Sequence, residues 1–463
     1  MFRKQVSPTK KGLQIIIVGC GKVGATLTEQ LSNEGHDITL IDKNPRALNA
    51  LAELYDVMGI VGNGASYNIQ MEAGIETADL LISVTNSDEL NLLCCTVAKR
   101  VGDCAAIARV RNPDYYEEIG YLREKLGLAM VINPEMEAAR EMTKVLCLPT
   151  ALEINTFAHN QAEMIKIKIP QGNIMHDHSI VSLAKKISVN FLICAIERDG
   201  EVYIPSGDFV LQAGDSISFI ATRADSRIFL KEIGFQTHQV KNAMIVGGGK
   251  SAYYLAKRLL ASGIDVKIIE RDEETCENLS VMIPEATVIH GDGSDEDLLT
   301  EEGIEQTEAF VPLTGIDEEN IMLTLHAKQV SHAKVITKVN RIHFKKVINS
   351  LDLGSVIYPK YITAEAIIAY VRAKQASMDS NIETLYHLFD SQAEAIEFRI
   401  EKESAVTNIT LADIKLKKNL LVATINRNGR IFIPTGTDSI QLGDTVIIVT
   451  KHTGFNAIED ILA

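Results

Sequence analysis

The sequence predicts an α/β protein in which doubly wound parallel sheets alternate with small α+β units, arranged as a tandem duplication. Three observations predict it. Over residues 13–135, strand-like runs alternate with helical stretches across short turns. Runs such as Leu13-Gln14-Ile15-Ile16-Ile17-Val18 and Leu80-Leu81-Ile82-Ser83-Val84 are apolar nearly throughout, as strands covered on both faces are. The chain then repeats itself. Gly19-Cys20-Gly21-Lys22-Val23-Gly24 closes the first run, and Gly247-Gly248-Gly249-Lys250-Ser251-Ala252 closes its counterpart in the second half. Asp42 and Glu270 end the following strands at the same offset. Gly62-Asn63-Gly64 returns as Gly291-Asp292-Gly293, and Thr85-Asn86-Ser87-Asp88-Glu89 as Thr314-Gly315-Ile316-Asp317-Glu318, in nearly the same register. The later Gly200…Pro205-Ser206-Gly207…Gly214-Asp215 returns as Gly429…Pro434-Thr435-Gly436…Gly443-Asp444 with its internal spacing intact.

The elements follow in order. A first lobe at 12–134 carries strands at 13–19, 37–42, 57–62, 80–85, 105–110 and 129–133, with a helix start at Asn112-Pro113-Asp114. Pro134 opens a helix over about 135–146 that Pro149 ends, so 135–150 reads either as a plain linker or as a crossover helix packed between copies. The small unit at 151–236 shows strands at 151–157 and 163–169 and a short helix near 179–187. An Asp199-Gly200 hairpin turn joins 191–198 to 201–205, and a strand at 216–221 and a helix at 225–233 complete the unit. Residues 241–358 repeat the first lobe, 359–381 the linker and 382–463 the small unit.

Composition narrows the function. A chain of 463 residues has room for roughly two to four domains. Its net charge of −15 argues against a general nucleic-acid binder, which presents a basic face. No apolar run approaches the roughly 18–20 residues of a membrane span, and Met1-Phe2-Arg3-Lys4-Gln5 precedes no leader-like apolar block. Seven cysteines without a CxxC pair read as reduced, buried thiols of a cytosolic protein.

The glycine segment has the full context of a dinucleotide fingerprint: it follows a strand, opens a helix, and is answered by the acid Asp42 at the end of the next strand. Gly19 permits the tight turn, Gly21 lets a pyrophosphate approach the backbone, and Gly24 lets the helix pack close. The helix N-terminus offers free N–H groups to phosphate. Asp42 is placed for both ribose hydroxyls and repels a 2′-phosphate, favouring NAD(H) or an adenine nucleotide. Asn63 and Gly64 border adenine or ribose, or form a plain turn. Thr85 and Asn86 end the fourth strand at the carboxyl edge where ligands sit in such sheets. Asp88, Glu89 and Asn91 read as groups of the next helix start, and Arg109 and Arg111 as phosphate contacts or solvated surface. Gly247, Gly248, Gly249, Lys250, Ser251, Glu270, Asp292, Gly293 and Thr314 are the second-lobe counterparts, either functional or surviving as scaffold. The P-loop reading of Gly249-Lys250-Ser251 fails, because Met244 stands where that motif needs glycine.

No catalytic set accompanies the clefts. An NAD-dependent oxidoreductase needs a proton donor or acceptor beside the nicotinamide, and the small units offer no such pattern. A redox-sensing DNA-binding regulator needs a basic helical unit for which there is no room, and a ligand-free scaffold is the remaining alternative. His176-Asp177-His178 stands alone as a loop fragment rather than a metal site. The chain reads as a sensor, not an enzyme.

These residues carry a resemblance. Gly19 to Gly24, Asp42, Ala78 to Thr85, Asp88-Glu89-Leu90-Asn91, Ala108-Arg109-Val110-Arg111, Gly247-Gly248-Gly249, Ile269-Glu270-Arg271-Asp272, Asp317 to Ile321 and the two late Pro-x-Gly…Gly-Asp segments are similar to the TrkA family of potassium-uptake regulators. That family joins two RCK/KTN halves, and the resemblance runs from about residue 12 to the end. It implies two Rossmann-like RCK-N domains, each followed by an RCK-C domain. It implies NAD(H) as ligand, with ATP or ADP also taken, especially in the second lobe. Contacts fall to Gly19 through Val23, Asp42, Thr85-Asn86 and Arg109, and to Gly247 through Ser251 and Glu270. It implies a homo-oligomer, dimer or tetramer, forming a cytoplasmic gating ring on a Trk-type potassium-transporting membrane subunit. The second lobe departs from the pattern: Pro312 interrupts its fourth strand, and Asn340 replaces the second base of the Arg109/Arg111 pair.

Overall fold

The first sheet forms where apolar runs alternate with capped helices. The structure is a computed structural model describing residues 12–116, 118–158, 161–235, 237–340, 348, 351–376, 382–389 and 392–463. The Met1–Gln5 segment, read above for a leader, and the linker end at 377–381 lie outside the described residues.

Strands β1 (Gln14–Val18), β2 (Asp37–Asp42), β3 (Met58–Val61), β4 (Leu80–Ser83), β5 (Ala105–Arg109) and β6 (Met130–Ile132) make an all-parallel sheet in the order β3-β2-β1-β4-β5-β6. Reversal of strand order at β1/β4 opens a crevice at their carboxyl ends, where the glycine segment leaves β1. Ile15, Ile16, Ile17, Leu80, Leu81 and Ile82 are buried on both faces, as the continuous apolar runs require. Helices α1 (Lys22–Asn33), α2 (Pro45–Tyr55), α3 (Tyr67–Glu72), α4 (Asp88–Val101), α5 (Pro113–Tyr116), α6 (Ile119–Leu126) and α7 (Pro134–Cys147) cover or extend it. Asn44 and Ser87 cap α2 and α4, their side-chain oxygens accepting from first-turn N–H groups.

The chain divides into two compact units, one running to Glu137 and including Pro359–Ile368, the other holding 138–358 and 369–463. In the second unit, β7 (Glu153–Phe157), β8 (Ala162–Lys168), β9 (Leu192–Arg198), β10 (Glu201–Tyr203) and β11 (Ser216–Thr222) form an antiparallel sheet with α8 (Ile180–Ala184) and α9 (Arg223–Glu232). A second parallel sheet repeats the first order: β12 (Asn242–Val246), β13 (Asp265–Glu270), β14 (Thr287–His290), β15 (Ala309–Pro312), β16 (Lys334–Lys338) and β17 (Ser355–Ile357), arranged β14-β13-β12-β15-β16-β17. Its helices are α10 (Lys250–Ala261), α11 (Glu273–Met282), α12 (Glu296–Glu301) and α13 (Asp317–Val330). Helix α14 (Pro359–Ala376) precedes β18 (Ile382–Leu388), β19 (Ala393–Arg399), β20 (Leu420–Arg427), β21 (Arg430–Phe432) and β22 (Thr445–Thr450), again antiparallel.

Each small module turns its hairpin with two residues at positive φ: Asp199 (53°) and Gly200 (82°), then Asn428 (55°) and Gly429 (83°). That is the backbone twist two-residue hairpins favour. The repeated Gly-Asp places a buried aspartate against a half-buried arginine. Arg198 Nε and Nη2 donate to both oxygens of Asp215 at 2.7 Å, and Arg427 does the same to Asp444 at 2.9 and 2.7 Å. The two modules also share a core, in which Phe157, Met164 and Ile220 meet Leu388, Phe389 and Val449. Across it Ala158 N donates to Glu397 Oε1 at 2.7 Å, and the Phe157 and Tyr386 rings meet edge-on at 5.1 Å.

Three expectations need correction. The second small module repeats the sheet without the closing helix: after β22 the chain ends in a single 3₁₀ turn, Ile458–Ile461. In the first module Thr222 caps α9 by accepting from Asp225 N at 3.1 Å; Lys451 and Gly454 hold the matching places in the second module and supply no cap. Pro312 ends β15 rather than interrupting it, pairing opposite Val246. Leu313 N faces β12, donating to Val246 O, so position 312 faces β16, where proline has no N–H to give. The β15–β16 pairing accordingly covers two residue pairs where β4–β5 covers four. Of the seven cysteines, five are buried, but Cys20 and Cys147 are only partly so.

Candidate functional site

In the first lobe a cleft of about 180 Å³ opens at the carboxyl ends of β1 and β4. It is lined by the expected Gly19, Gly21, Asp42, Gly64, Thr85 and Asn86, and by Val18, Ile41, Lys43, Gly62, Val84 and Leu90. The apolar members suit a flat base or ring. Lys43 is not among the residues the sequence singles out; its adjacency to Asp42 is the one available signal.

Gly19 has φ of 108°, which only glycine adopts freely, and its amide donates to Ile41 O at 2.9 Å. Gly21 caps α1 with no side-chain hydrogen bond, and a Cβ there would project into open space. The first-turn N–H groups of α1 are thus left for an outside acceptor. Gly249 starts α10 in the same uncapped way, whereas Asn44, Ser87, Thr222, Asp272 and Asp295 cap their helices. Lys22 and Lys250 are exposed at these helix starts, while Val23 and Ser251 are buried.

Asp42 does more than wait for a ribose. Its Oδ2 accepts from Cys20 N at 2.6 Å and its Oδ1 from Asn44 N at 2.8 Å, tying the end of β2 to the glycine loop. Glu270 repeats the clamp: Oε2 accepts from Gly248 N at 2.5 Å and Oε1 from Asp272 N at 2.8 Å. Each carboxylate oxygen keeps lone-pair capacity for a hydroxyl. Cys20 lies in this loop outside the lining, and burial, with Asp42 beside it, pushes its thiol up to about 12.

Arg109 is buried, not solvated. Its Nη2 donates to Thr85 O and reaches Asn86 Oδ1 at 3.4 Å, while its buried Nε has no hydrogen-bond partner. Desolvation, then repulsion from Arg111, pulls the guanidinium down to about 10, still charged at neutral pH. Arg111 is instead occupied by Asn86 O at 2.8 Å and by Asp88 and Glu135 at 3.8 and 3.7 Å. Asp88 is more than a dipole partner, since its Oδ2 accepts from Arg111 N and Asn112 N at 2.8 and 2.7 Å.

Asn63 and Asp292, both exposed, each use one side-chain oxygen to close a turn. Asn63 Oδ1 accepts from Ala65 N at 3.3 Å, and Asp292 Oδ1 from Ser294 N and Oγ at 2.9 and 2.7 Å, which holds its carboxyl below the usual range. Gly64 and Gly293 let these turns sit on the first strand of each sheet: a Cβ at either would lie 2.2 Å from Val18 or Val246 Cγ1. In the second lobe Thr314 Oγ1 donates to Asn320 Oδ1 at 2.9 Å, Gly315 replaces Asn86, and Lys338, replacing Arg109, donates to Leu313 O at 2.8 Å. His176 Nδ1 accepts from Ala213 N at 3.0 Å, and no group of three or more metal-ligating side chains occurs among the described residues.

The TrkA-N domain model matches residues 15–134 and 243–359, and the TrkA-C domain model matches 164–234 and 395–463. The chain belongs to the TrkA family. The Trk system potassium uptake protein TrkA of Haemophilus influenzae is 31% identical over 443 residues, covering 94% of this chain and 95% of that protein. The TrkA homolog of Archaeoglobus fulgidus is 30% identical over 449 residues, covering 97% and 100%. Among solved structures, the GsuK channel bound to NAD superposes with a TM-score of 0.63 at 18% identity, over 96% of this chain and 78% of that one. The GsuK RCK domain gives 0.63 at 18%, over 96% and 93%. At that identity the likeness is one of fold, and the fold is a tandem pair of TrkA-N and TrkA-C domains. No described helix is long and apolar enough to cross a membrane.

Proposed function

We propose that this TrkA-family protein is a nucleotide-sensing regulatory subunit of a Trk-type potassium uptake system, without catalytic activity of its own. The observation that carries the reading is the repeated loop design: a glycine loop clamped by a carboxylate, Asp42 or Glu270, beside an uncapped helix start. The first lobe adds the buried cation Arg109, which is outside the lining itself but bonded to Thr85 O and Asn86 Oδ1, which line the cleft. NAD(H), ADP and ATP fit this chemistry: a base against Val18, Ile41 and Leu90, ribose hydroxyls on Asp42, phosphates on the α1 start and Arg109. The GsuK channel, with the same fold, has been solved bound to NAD and to ADP. Relatives spanning nearly the whole chain are potassium uptake proteins, so the response is read out on a potassium-transporting membrane partner by a cytoplasmic homo-oligomer.

The mechanism is a population shift. A bound nucleotide favours whichever arrangement of the assembly holds its phosphates better, and the shift is no larger than the difference in its affinity between states. The test is potassium uptake by cells lacking the native gene and supplied with the wild-type chain or with Asp42→Ala. The wild type restores uptake that responds to the cellular ADP/ATP ratio. Asp42→Ala, expressed and folded, alters that response. An unaltered response in that variant sinks the proposal for the first lobe.

A further inference from the structure

Asn91 looks, in the sequence, like one more polar residue of a helix start. In the structure it is fully buried and makes five hydrogen bonds. Its Oδ1 accepts from Thr85 N at 2.8 Å, Thr85 Oγ1 at 2.7 Å and Ser83 Oγ at 3.0 Å. Its Nδ2 donates to Thr85 O at 3.2 Å and to Arg109 O at 2.9 Å. One amide therefore holds all three backbone and hydroxyl groups of Thr85, which lines the cleft, and the strand end that carries Arg109. Arg109 Nη2 donates to that same Thr85 O, so the amide and the guanidinium converge on one carbonyl.

The second lobe builds this again. Asn320, also fully buried, accepts from Thr314 N and Oγ1 at 2.9 Å each and donates to Thr314 O at 3.3 Å and Lys338 O at 3.0 Å. Only the serine bond is missing, because Pro312 occupies the place of Ser83 and has no hydroxyl. The loop and the basic residue differ between lobes, Asn86 and Arg109 against Gly315 and Lys338, yet the amide joining them is the same. Asparagine suits the position because it alone, at this length, offers an acceptor and two donors together. An aspartate loses both donors, and leaves the carbonyls of Thr85 and Arg109 facing a carboxylate.

We infer that Asn91 and Asn320 are positioning residues for the phosphate-bearing part of the ligand. Each sets the placement of the rim that follows the fourth strand against the basic residue that ends the fifth. The inference rests on the nucleotide reading above and deepens it.

The test uses the full chain with Asn91→Asp and, separately, Asn320→Asp. ADP and adenosine are titrated calorimetrically well below the melting temperature, and thermal melting is followed in parallel. The expected result is a loss of tenfold or more in first-lobe ADP affinity for Asn91→Asp with a much smaller loss for adenosine, because the displaced groups address phosphate. Asn320→Asp reproduces the split at the second lobe and leaves the first untouched, which keeps the test intact should the Asn91 variant fold poorly. A role in stability alone lowers the melting temperature while leaving ADP affinity within twofold, or weakens ADP and adenosine equally; either result overturns the inference and leaves the nucleotide reading standing. A wild-type chain that binds no ADP overturns both.

Discussion

Replacing Gly24 with alanine tests how closely helix α1 is held against the glycine loop. An ideal Cβ on Gly24 would lie 1.9 Å from Gly19 O, 3.0 Å from Gly19 C and 3.6 Å from Val84 Cγ2. So short an approach to a carbonyl oxygen demands displacement of backbone, not of a flexible side chain. The Gly19 peptide cannot simply turn away, since its amide is bonded to Ile41 O and its φ of 108° is already special. Overpacking of this kind costs about 1–3 kcal/mol. The better helix propensity of alanine offsets up to about 1 kcal/mol, less in a first turn. The net expectation is destabilisation of the first lobe by about 1–2 kcal/mol, with ADP affinity weakened because the peptide that shapes the phosphate site has moved. The second lobe supplies the control. Ala252 occupies the matching place there and is fully buried, so Ala252→Gly loses helix propensity and the packing of one buried methyl group. Chemical denaturation and ADP calorimetry on both variants read the two effects. A neutral or stabilising Gly24→Ala with unchanged ADP affinity would refute the close-packing argument.

Arg198→Ala strands the buried carboxylate of Asp215 and is expected to cost about 2–4 kcal/mol in denaturant unfolding, with the Arg198→Ala/Asp215→Ala double variant losing much less than the sum of the singles. Lys334 gives a pH dependence. Its Nζ donates to Ala151 O at 2.5 Å, and desolvation, with Lys328 adding and Asp352 opposing, pulls its ammonium from the usual lysine range to about 7. Between about pH 7 and the unfolded lysine value near 10.4 the unfolded chain binds the extra proton, so stability rises with pH across that window and is flat in this respect below it. Lys334→Met removes that slope and is more stable than wild type at pH 7, read from urea midpoints at pH 7, 8 and 9; an unchanged slope discounts the buried ammonium. Asp88→Asn keeps one acceptor for the Arg111 and Asn112 amides but loses the charge facing Arg111, and is expected to lower the first-lobe melting temperature by a few degrees.

The parallel sheets were legible because their strands are buried on both faces and say so in unbroken apolar runs, from Ile15-Ile16-Ile17 to Ile268-Ile269. The first hairpin was legible because Asp199-Gly200 fits only a narrow turn geometry, and the second followed from the repeat of Gly200 as Gly429. Harder to read were side chains whose partners are distant in sequence. Nothing near Asn91 announces that it bridges to Arg109 on the following strand, and a polar residue early in a helix resembles a cap. The repeat held the missing signal, since Asn320 recurs in register with Asp317 and Glu318 while Asn86 and Arg109 give way to Gly315 and Lys338. Arg198 and Arg427 recur in the same way, opposite their aspartates. Asp42 reads from the sequence as a ribose acceptor, but its clamp on Cys20 N does not, because an acid after β2 looks the same whether it faces a ligand or the loop. The missing final helix shows the limit of repeat logic: similarity across the sheet does not extend to Lys451, where a cap would have been needed.

The most direct test of the central claim is calorimetric titration of the full chain with NAD, NADH, ADP and ATP, beside Asp42→Ala and Glu270→Ala. Two binding events per chain, one lost in each variant, are the predicted result. A wild-type chain that binds none of the four contradicts the claim and leaves both glycine loops as scaffold.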